Sequence, residues 1–529
     1  MKKFIYLVLF LFTSIIFSQE NIGYQQPPAE ILNLVDIQLA PSVLLDDNKE
    51  YMVLLYRNAF KSIDELSQTE LRLAGLRIDP KTNIGSRVNY YNNIEIKNIK
   101  VKNSTSIQVK GLPENPRFSN FTWSPDQKKI ALTNTTSNGV EVWVLDLQSK
   151  TLTQLTEALV NANLRDAINW FEDSKSLLVK MVLKDKKELI NTKTAIPSGP
   201  TISVNKGKKA QNRTYQDLLK NKNDEHNFEQ LAYSEIYKVS LDGNKEKWLE
   251  SAMFGNITFS PDGNYVMVST VEKPFSYLVT YRRFASKTII YSKDAKKIET
   301  VLEVPLIEDL PKGFMSTRTG RRDLTWRNDK PATLVYTEAL DGGDPEKKVA
   351  YRDEVFQLEA PFSGKPQSIL KTINRFSNIR WANDNLAIAY DYWWNTRNTK
   401  TYVFNPSNNA QKTEIISDRS RQDRYSDPGD FVTKRNKFGS YILALEGNNA
   451  FLIGDGFSEK GQFPFVDKLN LKTKKTKRLY TSAYTDKLEN LNDYDVDKNQ
   501  LLVRIESQSE YPNYYFRDLK KGKLVQLTS

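Results

Sequence analysis

One phrase of apolar and polar positions recurs along the chain. It runs apolar, variable, aromatic, then a turn with Pro or Asn and Asp, then a second apolar run. It reads Phe121-Thr122-Trp123-Ser124-Pro125-Asp126 before Ile130-Ala131-Leu132-Thr133. It returns as Ile168-Asn169-Trp170-Phe171-Glu172-Asp173 before Leu177-Leu178-Val179, and as Ile257-Thr258-Phe259-Ser260-Pro261-Asp262-Gly263 before Tyr265-Val266-Met267-Val268. Leu324-Thr325-Trp326-Arg327-Asn328-Asp329 and Ile379-Arg380-Trp381-Ala382-Asn383-Asp384 complete the set. Alternation puts the apolar residue and the aromatic on one face of a strand. Ser-Pro-Asp-Gly then turns the chain: Pro fixes φ, Asp bonds its own backbone and Gly accepts positive φ.

Further strands are predicted between the phrases, at Val140 to Leu147, Leu152 to Thr156 and Glu235 to Leu241, which makes four strands per unit. A single hairpin of this kind cannot bury its apolar face, so the units must stack. Weaker copies bracket the array: Val43 to Asp47 with Tyr51 to Leu55 at the start, Phe438 to Glu446 and Leu491 to Ile505 near the end. The pattern predicts an all-β fold, a β-propeller of seven or eight four-stranded blades. Stacked β-sandwiches do not explain a phrase repeated five times. The stretch from about 184 to 228, rich in Lys and Asn, reads as an insertion between strands.

Composition narrows the chemistry. The 529 residues contain no cysteine and one histidine. That excludes thiol nucleophiles, disulfides, Cys-ligated metals and multi-His sites. A Ser-His-Asp triad would have to use His226, which sits in a polar run that reads as a solvated loop. There is no GxSxG elbow, GxxxxGK[ST] loop or GxGxxG. No catalytic residue, metal or cofactor is expected. The net charge of +12 is spread out, and its densest run, Lys472 to Arg478, reads as a charged strand–turn–strand tip rather than a nucleic-acid patch. Met1-Lys2-Lys3, an apolar run to about Phe17 and Ser18-Gln19-Glu20 form a secretory signal pattern. The expected division is a signal peptide at 1–18 and a propeller at 19–529, exported to the periplasm or secreted, with no membrane span.

Longer motifs narrow the family. Tyr24 to Leu32, Pro41-Ser42-Val43 and Glu70 to Ile78 lie early in the chain. Gly320-Arg321-Arg322 with Trp326-Arg327, Glu338 to Pro345 with Tyr351-Arg352-Asp353, and Glu506-Ser507 with Tyr511 to Tyr515 lie later. Together they resemble glutamyl-endopeptidase-like members of the prolyl oligopeptidase family of serine peptidases. In that family a propeller caps an α/β-hydrolase domain that follows it and carries the triad. The resemblance implies the substrate-gating part of such a peptidase, without the hydrolase domain and inactive alone. Its partners would be peptides or a separate hydrolase half. The alternative is an exported TolB-like propeller that acts as a protein-binding scaffold.

A propeller that admits acidic peptides needs cations near its inner face, and Arg pairs both carboxylate oxygens. Arg321 and Arg322 precede the Trp326 phrase and Arg380 lies inside the Trp381 phrase; these are the candidate substrate-binding residues. Tyr392-Trp393-Trp394-Asn395 reads as core or blade-edge packing, and Asp341-Gly342-Gly343-Asp344-Pro345 as a turn that lacks the spaced ligands of a calcium loop.

Overall fold

The computed structural model describes residues 26–191, 194–196, 199 and 215–528. The proposed signal segment lies outside them. In all five copies of the phrase, both apolar positions enter one seam between neighbouring sheets. Phe121 and Trp123 pack with Leu55 and Ile94 of the sheet before. Ile168 and Trp170 meet Val142, Ile257 and Phe259 meet Leu178, Leu324 and Trp326 meet Ile290, and Ile379 and Trp381 meet Val355. Two indoles also bond across the seam. Trp170 Nε1 donates to Thr122 O at 3.1 Å and Trp326 Nε1 to Thr258 O at 3.2 Å. Each acceptor is the middle residue of the preceding phrase.

Two of the turns, those that begin at Ser124 and Ser260, are clamped by their serines. Ser260 Oγ donates to Asp262 Oδ1 at 2.6 Å and accepts from Tyr265 N at 3.0 Å. Ser124 does the same with Asp126 and Lys129. The next position is left-handed, with φ +70° at Gly263 and +61° at Gln127.

Among the described residues the strands form eight four-stranded antiparallel meanders. Blade 1 spans 42–108, blade 2 118–154, blade 3 168–252, blade 4 253–304, blade 5 322–372, blade 6 375–420, blade 7 430–481 and blade 8 488–526. Blades 3 and 4 share the strand Lys245–Phe259, which pairs backward up to Ala252 and forward from Met253. The expected seven or eight units resolve to eight. The remaining seams hold Ile388 with Ala450 and Val466 with Leu501. The last closes the ring, with Met52 and Leu54 of blade 1 against Leu502 and Leu527. No strand of blade 1 pairs with blade 8 among the described residues, so side chains alone make the closure. Lys49 and Asp493, 2.6 Å apart, add an ion pair there.

In such a meander, the first-to-second and third-to-fourth connections share one face of the ring. The second-to-third and blade-to-blade connections share the other. The first face, here the turn face, carries tight reversals such as 124–128, 260–264, 293–296 and 471–475. The second, the loop face, carries the long connections: 57–92, 182–233, 272–285, 305–321, 340–352, 421–429 and 455–464. The 57–92 connection holds the helix Ile63–Ser67 and a small three-stranded sheet. The 182–233 connection lies between strands Ser176–Met181 and Ser234–Ser240 and holds the helix Lys222–Ala232. Phe228 and Leu231 of that helix bury against Leu73, Ile78 and Phe284, which ties three connections together.

Two local expectations change. His226 lies on this helix rather than in a loop, because the Asn221 side chain caps Asp224 N and Asp224 and Glu225 occupy the first turn. In blade 7, Phe438 falls in the turn of an added hairpin, Thr433–Arg435 with Tyr441–Leu443, that follows a two-residue first strand, Asp430–Phe431.

Candidate functional site

The motifs at 320–322, 341–345 and 351–353 converge where blades 5 and 6 meet the loop face. Two carboxylates, Asp341 and Asp353, are 1% and 0% exposed there. A buried carboxylate needs a paired cation and several donors to remain charged. Arg375, the first residue of its strand, supplies both. Its Nη2 donates to Asp341 Oδ2 at 2.7 Å, its Nη1 to Asp353 Oδ1 at 3.0 Å and its Nε to Met315 O at 2.9 Å. Arg352 Nη1 reaches Asp341 Oδ2 at 2.9 Å. Arg322 pairs with Asp353 and, at 2.5 Å, with Asp323. Backbone donors complete the shell: Gly343 N to Asp341 Oδ1 at 2.9 Å and Phe376 N to Asp353 Oδ2 at 2.7 Å.

Gly343 is required by geometry. Its φ is +79°, and a Cβ there would lie 2.0 Å from Thr317 O. The Gly343 carbonyl in turn accepts from Thr317 N at 3.0 Å. The Asp341 to Pro345 motif is therefore a turn, as expected, and it also presents Asp341 to three elements at once. Beside it, Asp391 accepts from Asn374 N at 2.9 Å, from Lys400 N at 2.9 Å and from Tyr402 Oη at 2.5 Å. Burial pushes the Tyr402 hydroxyl up, and the Asp391 bond adds to the effect. The carboxylates around blades 5 and 6 are thus each held by several donors, which suits a scaffold more than an acid–base site.

The three candidate arginines are not brought together. Arg322 is buried in this network, so its charge is neutralised from within. Arg321 donates to Val301 O at 3.2 Å and lies over Tyr336, 4.8 Å from the ring centre. Arg380 is exposed, five residues further along the Arg375 strand, while Trp381 is buried. Sequence reasoning passed over Arg352, Arg375, Asp341 and Asp353 as site residues. The available signal was an arginine opening two successive first strands, at 322 and 375. Trp393 covers the network, with the Arg352 guanidinium carbon 3.9 Å from its ring centre. Trp394 departs from the expected packing role and is 39% exposed.

His226 makes no triad. Its Nε2 meets the Glu188 carbonyl at 2.9 Å, and among the described residues no hydroxyl bonds it. No three His, Asp or Glu side chains among the described residues could hold a metal ion.

The loop face is also where large apolar side chains stay uncovered. Phe60, Leu66, Leu278, Phe314 and Tyr511 stand exposed on its connections, against Val101 and Tyr441 on the turn face.

Two curated relatives match along nearly the whole chain. A probable chloroplastic glutamyl endopeptidase of Oryza sativa subsp. japonica is 31% identical over 541 residues, covering 97% of this chain and 57% of the relative. Its counterpart in Arabidopsis thaliana is 31% identical over 535 residues, covering 96% and 55%. Along 96–97% of its length the chain is similar to glutamyl endopeptidases. This glutamyl-endopeptidase-like chain spans a little over half the length of those relatives. No family model matches it. Among solved structures it is similar to a prolyl endopeptidase (10% identity, 91% of this chain and 57% of that one, TM-score 0.42). It is also similar to the β-propeller domain of the Trilobed protease from Pyrococcus furiosus (12%, 94% and 97%, TM-score 0.35). Among the described residues no helix is long and apolar enough to cross a membrane.

Proposed function

We propose that this chain is the substrate-gating propeller of a glutamyl-endopeptidase-like serine peptidase. Its loop face docks an α/β-hydrolase unit, and these residues alone cleave no peptide. The observation that carries the reading is the make-up of the loop face, which holds most of the long connections, the blade 7 hairpin on the turn face being the exception. Long connections, uncovered apolar side chains and the family's own motifs lie together on it, over a rigid ionic support at blades 5 and 6. Uncovered apolar area of this kind marks a protein interaction surface. What supports the inactivity is that His226 is the one imidazole and meets a backbone carbonyl. Export through the 1–18 segment belongs to the same reading.

The test uses purified protein and chromogenic peptides with Glu before the scissile bond. The chain alone should give no turnover, and an α/β-hydrolase unit of this family supplied in trans should co-elute with it on size exclusion. Turnover by the chain alone that a serine-directed inhibitor abolishes would contradict the reading. Failure to dock would favour a TolB-like scaffold instead.

A further inference from the structure

Blade 6 carries a second arrangement on the loop face that the buried network does not use. Phe314, 66% exposed, stacks on Trp394 with ring centres 5.3 Å apart and planes 30° apart. Arg397 lies over the same indole, its guanidinium carbon 3.8 Å from the ring centre, and its Nη1 is 3.5 Å from Tyr392 Oη. Arg421 lies 5.8 Å from the Tyr392 ring centre, and its backbone N–H donates to Arg397 O at 2.8 Å. Three connections, 305–321, 393–397 and 421–429, therefore meet in one platform.

The neighbouring arginines have carboxylates. Arg322, Arg352 and Arg375 share Asp341 and Asp353, and Arg419 holds Asp427 at 2.6 Å. Among the described residues neither Arg397 nor Arg421 pairs with one. A guanidinium stacked on a ring keeps its in-plane N–H edges free for a carboxylate. Arg397 also sits at φ +56°, in a tight hairpin closed by Trp393 N to Asn398 O at 2.8 Å. That conformation turns the hairpin tightly and places the guanidinium over Trp394.

We propose that this platform binds a peptide carboxylate, either an acidic side chain or a free C-terminus, and lays the adjacent apolar side chain on Phe314 and Trp394. The inference rests on reading the loop face as the one that faces substrate. The ligand supplies the counter-ion that the fold omits, and the aromatic pair supplies apolar burial beside it. An acidic patch on a docked protein is the competing occupant.

The test is fluorescence anisotropy of the purified chain with three labelled, N-acetylated pentapeptides. One contains Glu-Phe and is amidated, one contains Gln-Phe with a free C-terminus, and the control contains Gln-Phe and is amidated. At least one acid-bearing peptide should bind about tenfold or more tightly than the control, and which one binds identifies the source of the carboxylate. The difference should shrink with added salt. Arg397→Gln with Arg421→Gln should erase it without moving the melting temperature, and Trp394→Leu should weaken the acid-bearing peptide and the control alike. Equal binding of all three peptides would overturn the proposal, as would a double variant that still discriminates. Loss of hydrolase docking in that variant, with no peptide discrimination in the wild type, would assign the platform to the protein partner and overturn it too. Failed docking with peptide discrimination intact would overturn the docking reading and leave the platform standing.

Discussion

The two faces of the ring are built from the same strands by opposite means. On the turn face the reversals at Ser124 and Ser260 repeat one local solution: a serine clamp, an aspartate and a left-handed residue. Gly263 and Gln127 occupy equivalent places in it with φ of +70° and +61°. On the loop face no two connections are alike, and order comes from contacts far apart in sequence. Asp353 is held by Arg322 and Arg375, and Phe228 by Leu73 and Phe284. The turn face joins distant segments through single polar bonds, such as Asp126 N to Ser174 Oγ at 3.0 Å and Tyr441 Oη to Asp47 Oδ1 at 2.6 Å, whereas the loop face joins them through shared buried groups. Function accumulates where chain can be added without disturbing the stacked strands.

The largest expected effect lies in the loop-face support. Asp353→Ala leaves Arg322 and Arg375 buried and under-paired and should cost about 3–5 kcal/mol, read from the urea unfolding midpoint. A cost no larger than that of a surface substitution would break the contrast. Gly343→Ala should cost about 1–3 kcal/mol, because its Cβ meets the Thr317 carbonyl. Gly243→Asn on the turn face, where φ is +90° and a Cβ meets nothing within 4 Å, should cost about 1 kcal/mol or less, since Asn tolerates left-handed φ. Equal losses from these two would erase the distinction between the faces.

The seams, common to both faces, fall in between. Trp326→Phe removes the indole bond to Thr258 O and should cost about 1–2 kcal/mol by the same midpoint measurement. A subtler reporter sits beneath the 182–233 connection. Lys180 is fully buried, bonded to Asn163 O at 2.6 Å and Leu164 O at 2.9 Å. Burial pushes its ammonium down from 10.5 to about 7, against a smaller opposing effect of Asp166. Between those values the unfolded chain binds the proton and the folded chain releases it, so stability should rise as pH goes from about 7 toward 10.5. Lys180→Met should flatten that rise, and an unchanged pH profile would show that the amine is solvated. The smallest effect is expected at Arg397→Gln, under about 0.5 kcal/mol, because among the described residues its side chain meets no carboxylate and touches only the surface rings of Trp394 and Tyr392.

Repetition made the fold readable before the structure. Five copies of one phrase named the strands, the turns and the face that packs, since each copy obeys local rules. The eighth blade was harder to count because blade 7 opens on the two-residue strand Asp430–Phe431 and then inserts a hairpin. The 57–92 connection passed unnoticed since its small sheet has no repeating signal. The site was legible only as motifs. Gly320 to Arg322 and Asp341 to Pro345 stood out as words, but that Arg322 would be neutralised by Asp353, thirty-one residues on, depends on how strands are brought side by side. Arg375 carried no motif at all. His226 was taken for loop because its neighbours are polar, and the helix there is stabilised by its cap and by Phe228 and Leu231 beneath it.

The central claim is that the loop face is the working face of this ring, and hydrogen–deuterium exchange with and without a docked hydrolase unit tests it most directly. Protection should appear in 57–92, 272–285, 305–321 and 340–352, with the reversals at 124–128, 260–264 and 471–475 unchanged. Protection confined to those reversals would contradict it.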